Sequence, residues 1–320
     1  MPQIILVSVR TLPPEERPRN FTWSLWLESM DGRTVIPLTH TDSLGHVLLQ
    51  SGFLGLGVPP VDLAIGVTPG VPGGSIEDVT VLARDITLPL KVWGNTDAEK
   101  WEHVQALRDL TDPEVEMQRE GNFKICSATP TGPRELVVAY RGGLEGDMHG
   151  QAYSERIVLD LVAPHPYARD RERRTLPFPL SGGGPFLAPA GTDHPWGSLK
   201  LSPSTLISND MPVDMPSAVK VWPEIELDGP APEGASIIAD SGLHLVIDGA
   251  IPAGSTLRVV TDPRGRSARL DGVPAWQMIS LASRFRPFTR GTNRLDVEVP
   301  NASGGATLRL GWRGGYRSMW

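Results

Sequence analysis

Apolar and polar residues alternate over short runs along most of this 320-residue chain. Alternation at period two puts successive side chains on opposite faces and predicts β-strands. In the second such run, Phe21, Trp23, Leu25 and Leu27 fall on one face. The pattern predicts strands at residues 4–9, 21–27, 123–128, 136–140, 156–163, 219–227, 243–247, 256–261, 295–299 and 307–312.

One stretch, residues 96–111, follows helical spacing instead. Thr96 and Glu99 form a capping box at its start, and Asp112 followed by Pro113 ends it. Apolar residues recur at every third position and form a broad face, which predicts a helix docked on a sheet. These apolar residues are Trp101, Val104, Leu107 and Leu110. The chain is therefore predicted to be all-β with one α-helix.

Residues 52–74 are dense in Gly and Pro and are predicted to form a long loop or arm that carries a short strand at residues 61–65. Loops of this length in a compact domain are usually functional or disordered. Beyond this segment, the apolar residues Val79 and Val81 occupy odd-numbered positions, whereas Ile86 and Leu88 occupy even-numbered ones. This change of parity predicts a bulge or sharp bend near residues 84–85.

The chain contains 34 Gly and 31 Pro and is long enough for two hydrophobic cores. Residues 164–197 interrupt the strand pattern with several prolines, a glycine-rich stretch and six charged residues at 169–174. We place a domain boundary there. Residues 1–175 are predicted to form a β-barrel or sandwich that carries the helix, and residues 176–320 a β-sandwich. The charged run indicates a solvated linker or a binding patch, and its mixed signs favour the linker.

The formal net charge is −7, and it is unevenly distributed. Residues 176–320 contain 13 acidic and 13 basic residues, whereas 24 acidic and 17 basic residues precede them. Such a surface repels phosphate backbones and argues against nucleic-acid binding. No apolar run approaches the roughly 20 residues of a membrane-spanning helix. Residues 1–10 lack the pattern of a secretory signal.

Cys126 is the single cysteine, so an internal disulfide is excluded and folding in a reducing cytoplasm is expected. A packed strand cysteine accounts for it better than a reactive thiol. The seven histidines show no paired spacing typical of metal ligands, and the chain has no phosphate loop, dinucleotide glycine pattern or nucleophile elbow. We therefore predict no catalytic, cofactor-binding or metal-binding residues.

Two sequence patterns resemble catalytic ones. Ser217 and Lys220 match the SxxK string of serine acylases, but they enter a predicted strand, which places them on opposite faces. Paired carboxylates are the groups that glycosidases use, although acids at period two are more typical of the wet face of a strand. The pairs are Glu114 with Glu116 and Glu224 with Glu226. Tryptophans that could stack on sugars, or pack in a core or interface, are Trp196, Trp222, Trp276, Trp312 and Trp320.

Seven segments follow one another in a characteristic order. The first four are SGFLGLGVPPVDL, VLARDITLPLKVWG leading into the helix, ELVVAYRGGLEG and ERIVLDLVAPHPYARD. The last three are WPEIELDGPAP, IPAGSTLRVVTDPRGRSARLDGVPAW and SLASRFRPFTRGTNRLDVEV. Their collinear order over most of the chain resembles the distal tail protein family of long, flexible-tailed bacteriophages. The chain departs from that family at Thr289 and Arg290, where a proline-glycine turn is usual, and in a long, proline-rich region at 178–214.

The resemblance implies a structural virion protein of the tail tip or baseplate hub, made in the host cytoplasm, with no enzymatic activity and no cofactor. It implies that the first domain forms a hexameric ring joining the tail tube to the tip complex, and that the second is a galectin-like β-sandwich. Expected partners are further copies of the chain in a homohexamer, the tail tube protein, the tape-measure protein and the tip hub or tail-associated protein. A host surface glycan is a further candidate; sequence-specific nucleic acid and membrane insertion are not expected.

A closed ring of identical chains needs a head-to-tail contact, and edge strands and extended arms can supply it. We expect residues 52–74 and the strand at 84–92 to do so. The candidate contact residues are Leu56, Val58, Val61, Leu63, Arg84, Ile86, Leu88 and Leu90.

Carboxylates are expected to line the channel or its rim, since like charge would ease the passage of DNA. They are Asp97, Asp112, Glu114, Glu116 and Glu120. The alternative is that these acids only keep the protein soluble. Residues 308–320 carry Arg309, Arg313 and Arg317, which predicts docking on an acidic face of a neighbouring tail protein or a last strand with a frayed end. Two other function classes stay open: a carbohydrate-binding or host-attachment module that uses the second sandwich, and a glycan hydrolase.

Overall fold

The structure is a computed structural model that describes residues 23–39, 46–67, 69–70, 72–114, 118, 120–145, 153–179, 206–300 and 306–320. The predicted strand at 4–9, the channel candidate Glu116, Phe21 and Trp196 lie outside these residues.

The described chain is almost entirely β. The elements before residue 180 are β1 (Ser24–Ser29), β2 (Val35–Pro37), β3 (Val47–Leu49), β4 (Val61–Gly66), β5 (Ser75–Val81), β6 (Arg84–Trp93), α1 (Asp97–Thr111), β7 (Phe123–Thr129), β8 (Gly132–Gly143), β9 (Ser154–Ala163), β10 (Ala168–Asp170) and β11 (Arg174–Pro179). After it come β12 (Leu206–Met215), β13 (Glu224–Asp228), β14 (Ala235–Ala239), β15 (His244–Ile247), β16 (Thr256–Val260), β17 (Ser267–Leu270), β18 (Val273–Pro274), a 3₁₀ turn (Trp276–Met278), β19 (Gly291–Val299), β20 (Thr307–Trp312) and β21 (Gly315–Tyr316). The predicted all-β class is confirmed.

The first unit is a nearly closed barrel of antiparallel strands in the order β2-β1-β7-β8-β9-β6-β3. Its two ends approach each other where the Leu49 N–H, at the end of β3, donates to the Leu38 carbonyl just after β2 (2.8 Å). The alternation that predicted strands also determines the core, because every second residue of β6 points inward. Each fully buried aliphatic side chain there contributes about 1.5–3 kcal/mol.

Helix α1 forms where the capping signals predict it. The Thr96 hydroxyl accepts the Glu99 N–H (3.1 Å), and the Glu99 carboxylate accepts the Asn95 N–H (2.8 Å). Its buried apolar residues Val104, Leu107 and Leu110 join the barrel core.

The expectation that Trp101 shares the buried face of α1 is wrong, since this ring is exposed. A spacing of three lags behind the helical repeat of about 3.6 residues per turn, so Trp101 lies on the opposite side of the helix from Leu110. The Lys100 ammonium lies over the Trp101 ring, 5.1 Å from its centroid.

The second unit is a β-sandwich. One sheet has the order β11-β20-β13-β16-β17-β18 and the other β12-β19-β14-β15. Apolar side chains of both sheets, such as Ile225, Leu257, Ile237 and Val297, share one core. Asp271 and Gly272 have positive φ in the tight turn between β17 and β18, as their Asp-Gly sequence predicts.

The charged run at 169–174 is not a solvated linker, because its arginines form ion pairs with both units. Arg171 pairs with Glu28 of the barrel (2.6 Å), and Arg173 pairs with Glu226 of the sandwich (2.9 Å). Strand β11 then begins within the run and pairs with β20. The boundary between residues 175 and 176 stays a prediction.

Residues 314–320 return to the barrel, an arrangement that the sequence did not indicate. Strand β21 pairs with β10, and Met319 is fully buried in the barrel core. Among the described residues, no helix is long and apolar enough to cross a membrane.

Candidate assembly interface

Strands β4 and β5 form a two-stranded antiparallel sheet separate from the barrel, here called the hairpin arm (residues 61–66 and 75–81). The predicted short strand at 61–65 is confirmed as β4. In the register of the arm, Val61 lies opposite Val81 and Leu63 opposite Val79. Cross-strand partners point to the same side of a sheet, so these two pairs share one face.

A bulge extends that apolar face. Ala64 pairs with Asp78 but Ile65 pairs with Ile76, which leaves Glu77 as the extra residue of β5. An extra residue shifts the alternation of side chains along a strand by one position, so the Ile76 side chain points to the same face as Val79. The apolar face of the arm therefore consists of Val61, Leu63, Ile65, Ile76, Val79 and Val81.

The opposite face of the arm is polar, with Asp62 opposite Thr80 and Ala64 opposite Asp78. Both faces are open to solvent, and Val61, Leu63, Ile65, Ile76 and Val79 are 42–62% exposed. An isolated two-stranded hairpin is marginally stable in water. Contiguous exposed apolar surface of this kind marks an interaction site. The arm therefore has one side suited to contact with another surface.

Of the predicted contact residues, Val58, Val61 and Leu63 are exposed, the last two on the apolar face of the arm. The remaining ones require correction, because the structure buries them in the barrel: Leu56, Arg84, Ile86, Leu88 and Leu90. Strand β6 pairs with β9 along its full length and with β3 at its end, so its backbone is not a free edge. The alternation read as an edge strand is the inward face of a barrel strand. The predicted break near 84–85 lies where the chain leaves β5 for β6.

Arg84 is fully buried at the start of β6, three residues after the arm ends. Its guanidinium donates to the carbonyls of Gly55 (3.1 Å), Arg317 (2.8 Å) and Pro166. Burial lowers the pKa of Arg84 to about 10. Arg84 thus joins three distant segments, and its role is structural.

The channel-charge candidates are dispersed. Asp97 lies at the start of α1 in an ion pair with Lys100 (2.8 Å). At the far end of the helix, the Asp112 carboxylate accepts the N–H of the exposed Glu114 (2.9 Å). Glu120 is half-buried between Arg169 (3.2 Å) and Arg264 (3.6 Å), which neutralise its charge. Whether any of these acids faces a channel stays a prediction.

The structure is similar over nearly all its length to that of the Dit protein of phage SPP1, described as a paradigm of the hub adsorption apparatus in phages that infect Gram-positive bacteria. The TM-score is 0.60 at 13% identity, covering 92% of this chain and 100% of that one. The chain has the fold of a phage distal tail protein.

Two structures of the activated phage P2 baseplate, one with Ca and one with Sr, share this distal tail fold. Both give a TM-score of 0.54 and cover 92% of this chain and 98% of theirs, at 10% and 12% identity. No protein-family model matches the chain, and no curated protein matches its sequence. The resemblance inferred from the order of the seven segments is confirmed at the level of the fold.

Within this distal tail fold, the residues that resembled catalytic ones have structural contacts. The Ser217 hydroxyl donates to the carbonyls of Val219 (2.7 Å) and Gly315 (2.9 Å) and accepts the Gly315 N–H (2.9 Å). It therefore anchors the return of the chain to the barrel.

Glu224 and Glu226 share one face of β13, where each forms ion pairs with arginines. Burial raises the pKa of Glu226, but hydrogen bonds from Arg173 and Arg309 and the charges of Arg173 and Arg258 outweigh it and hold the pKa below its ordinary value. A carboxyl held in its ionised form is a poor general acid.

One group of potential ligands was missed by the sequence analysis. Ligand atoms of His46, Glu99 and His103 all lie within 4.8 Å of one another at the start of α1. Glu99 and His103 are spaced i, i+4 on the helix, a signal present in the sequence. His46 comes from a distant segment just before β3, which no local pattern reveals.

Proposed function

We propose that this chain is a structural protein of a phage tail tip or baseplate, and that its barrel forms a hexameric ring joining the tail tube to the tip complex. The observation that carries the proposal is the solvent-exposed apolar face of the hairpin arm on a chain with the distal tail fold. In the ring, each arm would rest on the barrel of the next subunit. Such a contact is head-to-tail, and sixfold rotation closes it.

The size of the apolar face indicates how such a ring would assemble. Burying the exposed half of six aliphatic side chains yields on the order of 5 kcal/mol. Association of two proteins costs an estimated 4–15 kcal/mol in lost freedom, so a single arm contact gives a weak dimer. In a closed ring every subunit makes two such contacts. We therefore expect monomers and rings to dominate over open intermediates.

Within this proposal the chain acts through its geometry and catalyses no reaction. One face of the ring would meet the tail tube and tape-measure proteins and the other the tip hub protein, in the virion. The excess of acidic over basic residues before residue 176 would ease the passage of DNA through the ring, because like charges repel.

The test replaces two central residues of the apolar face without changing the core. Leu63→Asp combined with Ile65→Asp places two charges on the arm, and a charge at an apolar interface is strongly unfavourable. We expect wild-type protein to run at the mass of six chains by light scattering and to give sixfold rings by negative stain. The double variant should run as a folded monomer.

The matched control is Val273→Asp, which adds a charge at an equally exposed aliphatic residue of the sandwich. The Val273→Asp variant should still run at the mass of six chains by light scattering. A wild-type protein that stays monomeric at high concentration, or a double variant that still forms the hexamer, would contradict the proposal.

The carbohydrate-binding alternative has one specific observation in its favour. Trp276 is exposed at one end of the sandwich and packs edge-to-face against Phe285, at 6.3 Å between centroids. The Arg266 guanidinium lies 4.5 Å above the Phe285 ring. The exposed ring of Trp276 offers a flat apolar surface on which a sugar ring could stack. Binding of the full chain on a glycan array, lost in Trp276→Ala, would support this function.

A further inference from the structure

His46, Glu99 and His103 form a compact cluster where α1 meets the barrel. Glu99 Oε1 lies 3.7 Å from His46 Nε2 and 3.8 Å from His103 Nε2. The two imidazole rings are stacked, with centroids 4.1 Å apart and an interplanar angle of 13°. The three side chains are each about three-quarters buried.

The surrounding structure holds these side chains in place. Glu99 and His103 lie one turn apart on α1, and the helix start is fixed by its cap. The Glu99 carboxylate also accepts the Asn95 N–H (2.8 Å) and the Asn95 side-chain amide (3.3 Å). The carbonyl of His46 accepts the N–H of Trp93, the last residue of β6 (2.9 Å). Hydrogen bonds of this kind orient ligands around metal ions in proteins.

The cluster contains polar atoms whose hydrogen-bonding capacity is unused. His103 Nε2, which faces the carboxylate, is buried and has no hydrogen-bond partner among the described residues. His46 Nδ1, the ring nitrogen that does not face Glu99, is also buried without a hydrogen-bond partner among the described residues. Buried polar atoms almost always have hydrogen-bond partners, and a bound ion can be the partner of a nitrogen such as His103 Nε2 that accepts and donates no hydrogen bond within the described part of the chain.

Two imidazoles and one carboxylate are the ligand set of several zinc sites that leave a fourth position open. Ligand atoms about 2.0–2.1 Å from a tetrahedral Zn²⁺ lie roughly 3.3 Å apart. The observed 3.7 and 3.8 Å are within a few tenths of an ångström of that separation. Because the two rings are stacked nearly parallel, a shared ion requires each ring to turn out of the stack until its lone pair points at the ion. Ca²⁺ and Mg²⁺ prefer oxygen ligands, so this cluster selects against them.

We propose that His46, Glu99 and His103 bind one Zn²⁺ or a similar divalent transition-metal ion. The ion would join the first turn of α1 to the segment that enters β3 and so fasten the helix to the barrel. The site lies away from the hairpin arm and does not depend on ring formation.

The test uses the full chain without an affinity tag, stripped of metal with EDTA and titrated with ZnCl₂ by calorimetry. We expect one Zn²⁺ per chain and a rise in the thermal unfolding midpoint, since a ligand that binds only the folded state stabilises it. His46→Gln, Glu99→Gln and His103→Gln should each weaken binding at least about 10-fold. Co²⁺ should give the visible absorption of a site with nitrogen ligands in wild type and lose it in His103→Gln.

His244→Gln is the matched control, because it removes a histidine of the sandwich while leaving the cluster intact. It should bind Zn²⁺ like wild type. Circular dichroism identifies any variant that fails to fold, and the wild-type stoichiometry and remaining variants then decide. Absence of Zn²⁺ binding in wild type, or unchanged binding in a His46→Gln, His103→Gln double variant, would overturn the proposal.

Discussion

Arg171 holds Glu28 in a two-pronged ion pair, with Nη1 donating to Oε2 (2.6 Å) and Nη2 to Oε1 (2.9 Å). Glu28 lies on β1 of the barrel and is almost completely buried, whereas Arg171 belongs to the charged run that precedes the sandwich. A planar guanidinium matches a carboxylate in this geometry and fixes its orientation. The pair therefore attaches the connecting segment to the barrel.

Removing the arginine should destabilise the fold. Arg171→Ala leaves Glu28 with Lys124 (3.8 Å), the Trp26 indole (3.0 Å) and the Cys126 thiol (3.8 Å) as partners. Losing one partner of a buried pair costs about 3–5 kcal/mol, and the partial exposure of Arg171 reduces that to about 2 kcal/mol. Urea denaturation measures the change. Arg33→Ala, at an exposed pair with Asp31, should cost well under about 1 kcal/mol.

The same pair gives the stability a dependence on pH. Burial raises the pKa of Glu28, but hydrogen bonds from Trp26 and Arg171 and the charges of Arg171 and Lys124 outweigh it, so the pKa lies below its ordinary value of 4.5. A lowered pKa in the folded state stabilises the fold above the unfolded pKa, and this contribution is lost as pH falls through the folded pKa. The stability difference between wild type and Glu28→Gln should be constant above about pH 5 and shrink below it. A difference that grew on acidification would contradict this assignment.

Cys126 should be unreactive in the folded protein. Its side chain is fully buried on β7, and burial followed by the nearby charge of Glu28 raises its pKa to about 12. The thiolate is the reactive form, so a thiol reagent such as Ellman's should label the chain only in denaturant. Because the chain contains one cysteine, complete labelling corresponds to one equivalent. Rapid labelling under native conditions would show that this region opens readily.

Met319 links the last described residues to the stability of the barrel. It is fully buried, its N–H donates to the Leu56 carbonyl (3.0 Å), and its carbonyl accepts the Ser127 hydroxyl (2.5 Å). Met319→Ala should lower the free energy of unfolding by about 2–4 kcal/mol, the usual cost of a cavity at such a site. Leu281→Ala, at a fully exposed residue of the sandwich, is the control and should have almost no effect. Equal effects of the two changes would show that the segment is not docked in solution.

Local signals in the sequence were sufficient for the elements but not for their contacts. The caps at Thr96 and Asp112 predicted α1, and alternation predicted most strands, because both depend on neighbours in the chain. The burial of Ile86 and Leu88 was misread, since alternation looks the same on a barrel strand and on an edge strand. Met319 shows the same limit, because its partners lie far away in the sequence.

The same limit applies to the candidate sites: local patterns indicate some of their residues but not those that the fold brings together. Val61 and Leu63 were predicted as contact residues because they lie in an arm dense in Gly and Pro, and the structure exposes both. The contribution of Ile76 depends on a bulge, whose single extra residue has no distinct sequence signal. The approach of His46 to His103 is set by how the barrel closes, which periodicity does not specify.

Arg84 provides a test of how the segment that carries Met319 is held on the barrel. Arg84→Met retains most of the side-chain volume but leaves the carbonyls of Gly55, Pro166 and Arg317 without their donor. Each buried group left unsatisfied costs about 1–3 kcal/mol, so the variant should lose at least about 3 kcal/mol of stability. Loss of these three bonds should let the segments open locally before the whole chain unfolds. Hydrogen exchange at the Met319 N–H should therefore accelerate more than exchange in the sandwich.

The control is Arg141→Met, at an exposed pair with Asp85 (2.7 Å), which should change neither the stability nor the exchange rates. Uniform acceleration across both units in Arg84→Met would mean that Arg84 supports global stability and does not specifically hold the segment that carries Met319.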